Sequence, residues 1–397
     1  MPAYHRLGEV PPKRHTQFRK ADGSLYSEEV FGTEGFSGNY SILYYHYPPT
    51  RITKFAPLSL PSATQARPNA PEIWHEGVQR HHHLKSAALG GKGDAVLGRQ
   101  IVMYNQDIVI GVAKPTETMD YYYRSGDADL VYFVQAGEGV CESVFGALPF
   151  HSGDYIVIPR GTTFRFDLPS LGRTAVTFLT IEAHGTIEPP HRYYNHQGQL
   201  LEHAPYCERD IRRPEELITH TEAGEFEVRV KVGDTITCYT YDHHPLNVVG
   251  WDGCAYPWIF NIHDFEPITG RVHQPPPVHQ TFQGPNFVVC SFVPRKLDYH
   301  PLSVPVPYNH SNIDSDELLY YVNGNFGSRR GIEQESLTLH PRGIPHGPQP
   351  GVVEQSLGAE RTEEMAVMID TFNPLLLTSV AQAIDDPSYP YSWSGPV

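Results

Sequence analysis

Alternation of apolar and polar residues begins near residue 97 and predicts that most of the chain forms β-strands. The stretch RQIVMYNQDIVIGVAKP alternates in this way and is bounded by turn-forming residues, which is the pattern of a strand with one buried face. Helical patterns are few, and the strongest are RPEELITHTEAG and the stretch near TFNPLLLTSVAQAI. Residues 1 to about 70 are rich in proline and tyrosine without periodicity, so we expect an extended N-terminal arm that packs on its own or a neighbouring subunit. The predicted fold class is all-β with few short helices.

A repeated pattern in the two halves of the chain indicates that one module occurs twice. DLVYFVQAG, beginning at Asp129, resembles ELLYYVNG, beginning at Glu317, and DYIVIPRGTTF (154–164) aligns without a gap on SLTLHPRGIPH (336–346). Each copy has an acidic residue at the start of an alternating strand, a glycine turn, and a second strand that ends at Pro-Arg-Gly. This arrangement predicts two jelly-roll barrels with side chains in their lumens.

The two copies differ in chemistry at two equivalent positions. The second copy has His340 and His346 where the first has Ile158 and Phe164. One barrel therefore keeps polar side chains where the other has apolar ones. We expect an N-terminal arm with loops in residues 1–95, a metal-free barrel in 96–225, and a metal-binding barrel with the C-terminal segment in 226–397.

The composition narrows the class of ligand and the compartment. The 397 residues include 30 Lys plus Arg against 45 Asp plus Glu, and the net charge of -15 argues against partners such as nucleic acid or an anionic membrane. No stretch of about 18 apolar residues occurs, the N-terminal sequence lacks the apolar core of a signal peptide, and the five cysteines include no CxxC pair. We therefore expect a cytoplasmic protein with a small-molecule partner. The 22 histidines favour metal binding or acid–base chemistry.

The second half contains a set of side chains that suits a metal ion. His310, Glu317 and His346 offer two imidazoles and one carboxylate, the ligand set that holds iron(II) on one face and leaves positions open for oxygen and substrate. The bend from His340 to His346 contains two prolines, and such stiffening suits preorganised ligands.

The choice of carboxylate ligand rests on the repeat. His310 and Glu317 are seven residues apart, so they would face opposite sides of a regular strand, and the segment between them must turn or bulge. Asp314 and Asp316 compete with Glu317 for the metal. The repeat favours Glu317, because Glu317 aligns with Asp129 at the start of a strand.

Three segments resemble the homogentisate 1,2-dioxygenase family of the cupin superfamily. They are YHRLGEVPPKRHTQFR, VPYNHSNIDSDE and LHPRGIPHGP, and they come from both ends of the chain, so the resemblance covers nearly all of it. The resemblance implies a bicupin fold, a ring-cleaving dioxygenase activity with Fe(II) as the cofactor, and a homo-oligomer that is a trimer or a hexamer built from trimers.

The resemblance also implies roles for individual residues. The implied iron ligands are His310, Glu317 and His346. The implied catalytic histidines are His263, in WIFNIHDFEP, and His340. The implied substrate-binding residues include Tyr308 and His346.

Some positions depart from the family pattern. The spacing from His310 to Glu317 is one residue longer than in the animal enzymes, and Phe326 stands where those enzymes carry a tyrosine near the substrate carboxylate. Arg329 or Arg330 could supply that contact, since arginine binds a carboxylate with two parallel hydrogen bonds. We take Arg329 as a substrate-binding residue.

The expected reaction is the cleavage of homogentisate by molecular oxygen to 4-maleylacetoacetate, a step of tyrosine and phenylalanine breakdown. A neutral His263 or His340 would take or share a phenolic proton. Two alternatives stay open. One is a sister enzyme that cleaves gentisate, a hydroquinone or another dihydroxyaromatic acid, and the other is a bicupin that binds a ligand without catalysis.

Other histidines have weaker patterns. The run from His81 to His83 is expected to form a surface or interface cluster, because adjacent residues of one element point in different directions. His273 and His279 flank the QPPP turn; one could enter the pocket, but a loop position is the simpler expectation. Cys290 lies in the apolar segment FVVCSFV and is expected to be in the core.

Overall fold

A computed structural model describes residues 3–58, 72–323 and 331–394 of the chain. Within these ranges the regular structure is almost entirely β, and the predicted all-β class is confirmed. The first strands in chain order are β1 (His5–Gly8), β2 (Ser27–Gly32), β3 (Tyr40–Tyr45), β4 (Ile52–Pro57), β5 (His82–Lys85), β6 (Gln100–Tyr104), β7 (Ile108–Ala113), β8 (Tyr122–Ser125), β9 (Asp129–Ala136), β10 (Glu138–Ser143), β11 (Gly146–His151), β12 (Asp154–Ile158), β13 (Phe164–Asp167) and β14 (Thr177–Ala183). The remaining strands are β15 (Ile211–Arg212), β16 (Ala223–Val232), β17 (Thr235–His243), β18 (Val248–Gly253), β19 (Trp258–Asn261), β20 (Gln280–Gly284), β21 (Phe287–Phe292), β22 (Arg295–Lys296), β23 (Asp316–Asn323), β24 (Ser336–His340), β25 (Arg361–Thr362), β26 (Met365–Thr371) and β27 (Leu376–Leu377).

Helices are short in the described ranges. The α-helices are α1 (Val352–Ser356) and α2 (Ser379–Ile384). The 3₁₀ turns are Glu34–Phe36, Ser86–Ala88, His191–Tyr193, Glu208–Asp210, Ile262–Asp264, Pro276–His279 and Tyr389–Trp393. No helix among the described residues has the length and apolar character needed to cross a bilayer.

One helix prediction is confirmed and the other is wrong. α2 lies within the predicted stretch TFNPLLLTSVAQAI. Residues 213–224, the predicted helix RPEELITHTEAG, contain no helix, and the last two belong to β16. His5 Nε2 lies 2.9 Å from the Pro214 carbonyl oxygen, and Glu216 forms a β-bridge with Ala147. These contacts with other elements hold the segment extended, and they outweigh its weak local helical pattern.

The first barrel is formed by two facing sheets. The seven-stranded sheet has the order β11-β10-β13-β8-β16-β17-β4, and the eight-stranded sheet has the order β15-β19-β12-β9-β14-β7-β6-β27. A buried apolar cluster fills the space between them. Tyr132, on the eight-stranded sheet, packs edge-on against Phe166 of the seven-stranded sheet, with ring centroids 4.8 Å apart. Aromatic side chains therefore occupy the lumen of this barrel.

The second barrel is built on a six-stranded sheet of order β20-β21-β26-β23-β24-β5. Alternate residues of β23 face opposite sides: Leu319 and Tyr321 belong to the small cluster in its lumen, whereas Leu318 and Tyr320 belong to the large core between the barrels. Both faces of β23 are thus buried, which explains why its sequence is nearly continuous in apolar residues. Glu317 shares the lumen face with Leu319 and Tyr321.

The N-terminal segment contributes strands to three sheets of its own chain. A four-stranded sheet has the order β1-β18-β3-β2, β4 extends the first barrel, and β5 extends the second. The sheets also run across the predicted domain boundaries. β16 spans residue 225 and β17 to β19 follow it, yet β16, β17 and β19 join the first barrel's sheets and β18 pairs with N-terminal strands. β27, near the C-terminus, pairs with β6.

Candidate metal site

His310, Glu317 and His346 converge at one end of the second barrel. Each offers a ligand atom, and these atoms all lie within 4.8 Å of one another. Glu317 Oε1 is 3.2 Å from His346 Nε2, and Glu317 Oε2 is 3.4 Å from His310 Nε2. The structure thus brings together the three residues that the sequence proposed as ligands.

Backbone pairing positions the two histidines. His310 and His346 form an antiparallel bridge in which each backbone N–H donates to the other's carbonyl at 2.8 Å. Gly347 permits the close approach, because a Cβ at that position would lie 2.6 Å from Asn309 Oδ1 and 2.8 Å from Asn309 Cα. The glycine of the PHGP segment therefore allows both ligands to reach the same point.

The segment between His310 and Glu317 leaves the regular strand geometry, as the spacing predicts. Residues 311–315 contain no strand, and the Asn312 carbonyl accepts a hydrogen bond from Gly343 N at 2.7 Å. The Asn312 side-chain amide also lies 3.4 Å from Glu317 Oε2. This turn lets side chains seven residues apart face the same lumen.

Neither competing aspartate belongs to the cluster. Asp316 Oδ1 accepts hydrogen bonds from the backbone N–H and Nε of Arg342, each at 3.0 Å, and Oδ2 accepts one from Leu375 N at 2.7 Å. Asp314 is exposed. Asp316 therefore ties the start of β23 to the Pro-Arg-Gly bend, and Glu317 is the carboxylate that faces the histidines.

His340 lies behind the cluster and orients Glu317. Its Nδ1 is 2.8 Å from Glu317 Oε1, and since a carboxylate only accepts, Nδ1 carries the proton. The other nitrogen, Nε2, accepts from the Tyr389 hydroxyl at 3.1 Å. His340 is fully buried and its ring stacks on His346, with centroids 4.3 Å apart. This geometry makes His340 a positioning residue for two ligands.

The electrostatics of Glu317 fit a metal ligand. Burial by itself would raise its pKa, but the neighbouring imidazoles of His310, His340 and His346 hold the pKa of Glu317 well below its usual range. The carboxylate is thus ionised, as metal binding requires. Across the ladder from Glu317 lies Asp370, and burial together with the charge of Glu317 raises the pKa of Asp370 well above its usual range.

The imidazole nitrogens also fit a metal. His346 Nδ1 lies 3.3 Å from the Ile344 carbonyl oxygen, which favours a proton on Nδ1 and leaves a lone pair on Nε2. That Nε2 atom is buried and makes no hydrogen bond of acceptable geometry within the described residues. An inward-facing lone pair beside an ionised carboxylate is the donor chemistry that a divalent transition metal satisfies.

The His81–His83 run is buried, so the predicted surface or interface cluster is wrong. The three residues are 8%, 3% and 3% exposed. β5 pairs with β24 at one edge and bridges Asp385 through Leu84 at the other. The side chains are also in contact: His83 Nε2 lies 2.9 Å from Ser336 Oγ, and His82 Nδ1 lies 3.1 Å from Asp385. The His81 ring lies 5.7 Å from the His340 ring.

The first barrel carries apolar residues at every position equivalent to this site. Glu317 pairs with His340 across the ladder as Leu130 pairs with Ile158. His310 bridges His346 as Tyr123 pairs with Phe164. The residues that replace the polar set are Tyr123, Leu130, Ile158 and Phe164, each at most 1% exposed.

These pairings shift the repeat by one residue at its first strand. Asp129 accepts hydrogen bonds from Arg160 and from Ile187 N, just as Asp316 accepts them from Arg342 and Leu375 N. The equivalent of Asp129 is therefore Asp316, and the alignment of Asp129 with Glu317 is wrong. Glu317 still faces the histidines, because it occupies the position of Leu130.

Tyr308 lies next to the cluster. It is 43% exposed, and its ring centroid is 5.9 Å from that of His310. Its hydroxyl is 3.0 Å from His273 Nε2, and His273 Nδ1 is 3.5 Å from Asp298 Oδ2. The sequence left open that His273 or His279 enters the pocket, with a loop position as the simpler expectation. The spacing of His273 to the ligands carries no signal, since the contact depends on how two long loops meet.

Three other predicted residues have different positions. His263 is exposed, its backbone N–H donates to Asn261 Oδ1 at 2.9 Å, and it follows β19 of the first barrel, so the structure does not bring it into the cluster. Because it lies at the end of a first-barrel strand, the catalytic role expected for His263 has no geometric support. Phe326 and Arg329 lie outside the described residues, as does Arg330.

Comparisons with known proteins place the chain in a family. Residues 88–262 match the family model for the N-terminal region of homogentisate 1,2-dioxygenase. A protein of Saccharolobus solfataricus named "putative dioxygenase" is 44% identical over 393 residues, which cover 98% of both chains. A cupin 2 conserved barrel domain protein from Leptotrichia buccalis has 10% sequence identity and a TM-score of 0.34, over 75% of this chain and 98% of that chain.

Homogentisate 1,2-dioxygenases are more distant relatives. The enzymes of Bradyrhizobium diazoefficiens and Rhodopseudomonas palustris are each 26% identical, over 281 and 296 residues. The alignments cover 66% and 70% of this chain but 60% and 63% of those enzymes, so the chain matches less than two thirds of their length. The nearly full-length relative and the family match together show that the chain is a dioxygenase of the homogentisate 1,2-dioxygenase family.

Proposed function

We propose that this dioxygenase uses iron(II) and molecular oxygen to cleave the ring of homogentisate, giving 4-maleylacetoacetate in tyrosine and phenylalanine catabolism. The observation that carries the proposal is the His310, Glu317 and His346 cluster, in which Glu317 and His346 are buried and His310 is half-buried, in a chain related to homogentisate dioxygenases. Two imidazoles and one carboxylate on one side are the ligand set of oxygen-activating iron(II) sites.

The protein's own residues hold and orient the site. His310, Glu317 and His346 would hold the iron, and His340 with Tyr389 keeps the Glu317 carboxylate in place. When bound, iron(II) supplies the redox chemistry between molecular oxygen and an electron-rich ring. The chain would hold substrate and oxygen next to each other, and the reaction between them would then be effectively intramolecular.

His273 is the proposed acceptor of the phenolic proton. Its Nε2 faces the Tyr308 hydroxyl at 3.0 Å, next to His310, while Asp298 lies near Nδ1. A proton on Nδ1 leaves the Nε2 lone pair available to a substrate hydroxyl, directly or through Tyr308, and Asp298 stabilises the imidazolium that results. In this proposal His340 positions Glu317 and does not move the proton.

Oxygen uptake on a substrate panel tests the proposal. Metal-loaded protein should consume oxygen with homogentisate and less with gentisate and hydroquinone, and the metal-stripped protein should consume none. A preference for gentisate or hydroquinone would assign the chain to a sister activity. Absence of uptake with all three compounds would reject ring cleavage of this class.

We also propose that the chain forms a homo-oligomer of three or six copies. Leu302 and Ile313 are 84% and 82% exposed, and Ile313 lies in the turn between His310 and Glu317. A second copy on this surface would remove these apolar side chains from water. Sedimentation at micromolar concentration tests the assembly, and a monomer would contradict it.

A further inference from the structure

A second polar group lies in the lumen of the metal barrel, beyond the ligands. The rings of His279 and Phe292 are 4.5 Å apart at their centroids, and the Arg295 guanidinium carbon lies 5.6 Å from the centre of the Phe292 ring. His279 is 6% exposed and Arg295 is half-buried. An arginine, a histidine and an aromatic ring therefore share one surface.

Arg295 has no ion-pair partner among the described residues. Its Nη1 donates a hydrogen bond to the Val293 carbonyl at 3.2 Å, and no carboxylate of the described residues lies within 4.0 Å of it. Glu364 and Asp298 act on Arg295 over a longer range, and burial lowers its pKa. The segments outside the described ranges contain no Asp or Glu, so they offer no side-chain carboxylate. A guanidinium held away from water without a partner is unfavourable and favours binding of an anion.

His279 has an unused hydrogen-bonding group at the same place. Its Nδ1 is buried and has no hydrogen-bond partner among the described residues. Burial, together with the charges of Arg295 and His273, lowers the pKa of His279 to about 3. The imidazole is therefore neutral near pH 7, and one of its nitrogens carries a proton that it can donate.

Two routes connect this group to the metal ligands. Phe292 packs on the cluster that contains Leu319 and Tyr321, and these two residues share the lumen face of β23 with Glu317. On the other side, the charge of His273 acts on His279, and His273 contacts Tyr308, whose ring lies beside that of His310. The polar group and the metal ligands therefore line the same lumen.

We propose that Arg295 and His279 bind the carboxylate of the substrate acid, while the hydroxylated part of the ring lies at the ligand cluster. This inference rests on the proposed function and deepens it, because it commits the site to aromatic acids over neutral hydroquinones. The guanidinium offers two parallel N–H donors to a carboxylate. Leu319, Met368 and Phe292 supply an apolar wall for the ring.

A matched pair of substrates isolates the carboxylate. Homogentisate and its methyl ester share the dihydroxylated ring, but only homogentisate carries the charge. In metal-loaded Arg295→Met, the KM for homogentisate should rise about tenfold or more, the scale of a lost charge-assisted hydrogen bond, while kcat changes little. The KM for the ester should stay at the wild-type value. Lys296→Met, at an exposed neighbouring position, is the control and should change neither value.

An equal rise in KM for both substrates, or no rise for either, would overturn the inference. A binding measurement on the wild-type protein covers the case in which Arg295→Met fails to fold. Phenylacetate should bind at least about tenfold more tightly than the neutral 2-phenylacetamide by calorimetry, and equal affinities would also overturn the inference. This measurement needs no turnover, so it separates failure of the carboxylate site from failure of the proposed reaction.

Discussion

Glu317 and Leu130 occupy the same position in the two barrels of this chain. Glu317 pairs with His340 across its ladder, and Leu130 pairs with Ile158 across the equivalent ladder. In the first barrel the apolar pair joins a dry core. In the second barrel the polar pair needs charge neutralisation and hydrogen bonds, because an unpaired buried carboxylate is costly. His340 Nδ1 donates a hydrogen bond to Glu317, and a metal ion between His310, Glu317 and His346 would neutralise the carboxylate charge.

The first prediction separates the two neighbouring acids of β23. Glu317→Gln should abolish metal retention after desalting, because the variant loses the charged ligand. Asp316→Asn should retain metal and lose about 1–3 kcal/mol of unfolding free energy, because hydrogen bonds from Arg342 and Leu375 weaken. Metal analysis and urea unfolding measure the two effects. Retention of metal by Glu317→Gln together with its loss from Asp316→Asn would reverse the ligand assignment.

The second prediction concerns two histidines that the sequence and the geometry rank differently. His273→Gln should lower turnover about a hundredfold or more, the usual scale for loss of a general base, with the metal content unchanged. His263→Gln is the matched control and should leave turnover unchanged, because His263 is exposed beside the first barrel. Steady-state oxygen uptake measures both variants. If only the His263 variant lost turnover, His263 and not His273 would be the general base.

The third prediction tests the support behind the ligands. Tyr389→Phe removes the hydroxyl that donates to His340 Nε2, so His340 holds Glu317 less firmly and metal affinity should fall about tenfold. Tyr391→Phe alters an exposed residue of the same 3₁₀ turn and should bind metal as the parent does. A metal-binding isotherm compares the two variants. Equal affinities would mean that the C-terminal segment does not support the site.

The fourth prediction is a pH dependence of stability that comes from His244. Burial, and then the neighbouring His220, lowers the pKa of His244 to about 4, and its Nδ1 accepts a hydrogen bond from Leu246 N at 3.1 Å. The unfolded chain binds the proton near pH 6.5, so the contribution of neutral His244 is present above that pH. It is lost as the pH falls towards 4, at about 1.4 kcal/mol per unit.

Urea unfolding between pH 7.5 and 5 checks this prediction. Metal binding is itself pH-dependent, so the comparison is between the metal-free parent and metal-free His244→Gln. The parent should lose more stability per pH unit than the variant. Parallel curves would show that His244 is not responsible.

The strands and the residues Glu317, His340 and His346 can be predicted from the sequence for a physical reason. Pro-Arg-Gly occurs in both copies and fixes a gapless alignment, so His340 and His346 stand out against Ile158 and Phe164. Glu317 was selected by an alignment one residue out of register. The true equivalence of Asp316 and Asp129 is visible only through their matching hydrogen bonds with arginine.

Other features of the site depend on contacts between distant segments. His273 meets Tyr308 across 35 residues of chain, and no local pattern marks that contact. The burial of His82 depends on Asp385, which is 303 residues away. The alternation of apolar and polar residues predicts strands well because it follows from the burial of one strand face. It does not show which loops come into contact at the end of a barrel.

The central claim is that one His310, Glu317 and His346 site per chain supports ring cleavage by molecular oxygen. A titration of metal-free protein with iron(II) tests it most directly, with oxygen uptake recorded on the preferred acid of the substrate panel. We expect the rate of oxygen uptake to rise linearly to a plateau at one iron per chain, with one oxygen consumed per substrate. A rate independent of added iron, or one that rises until two irons are bound per chain, would contradict it.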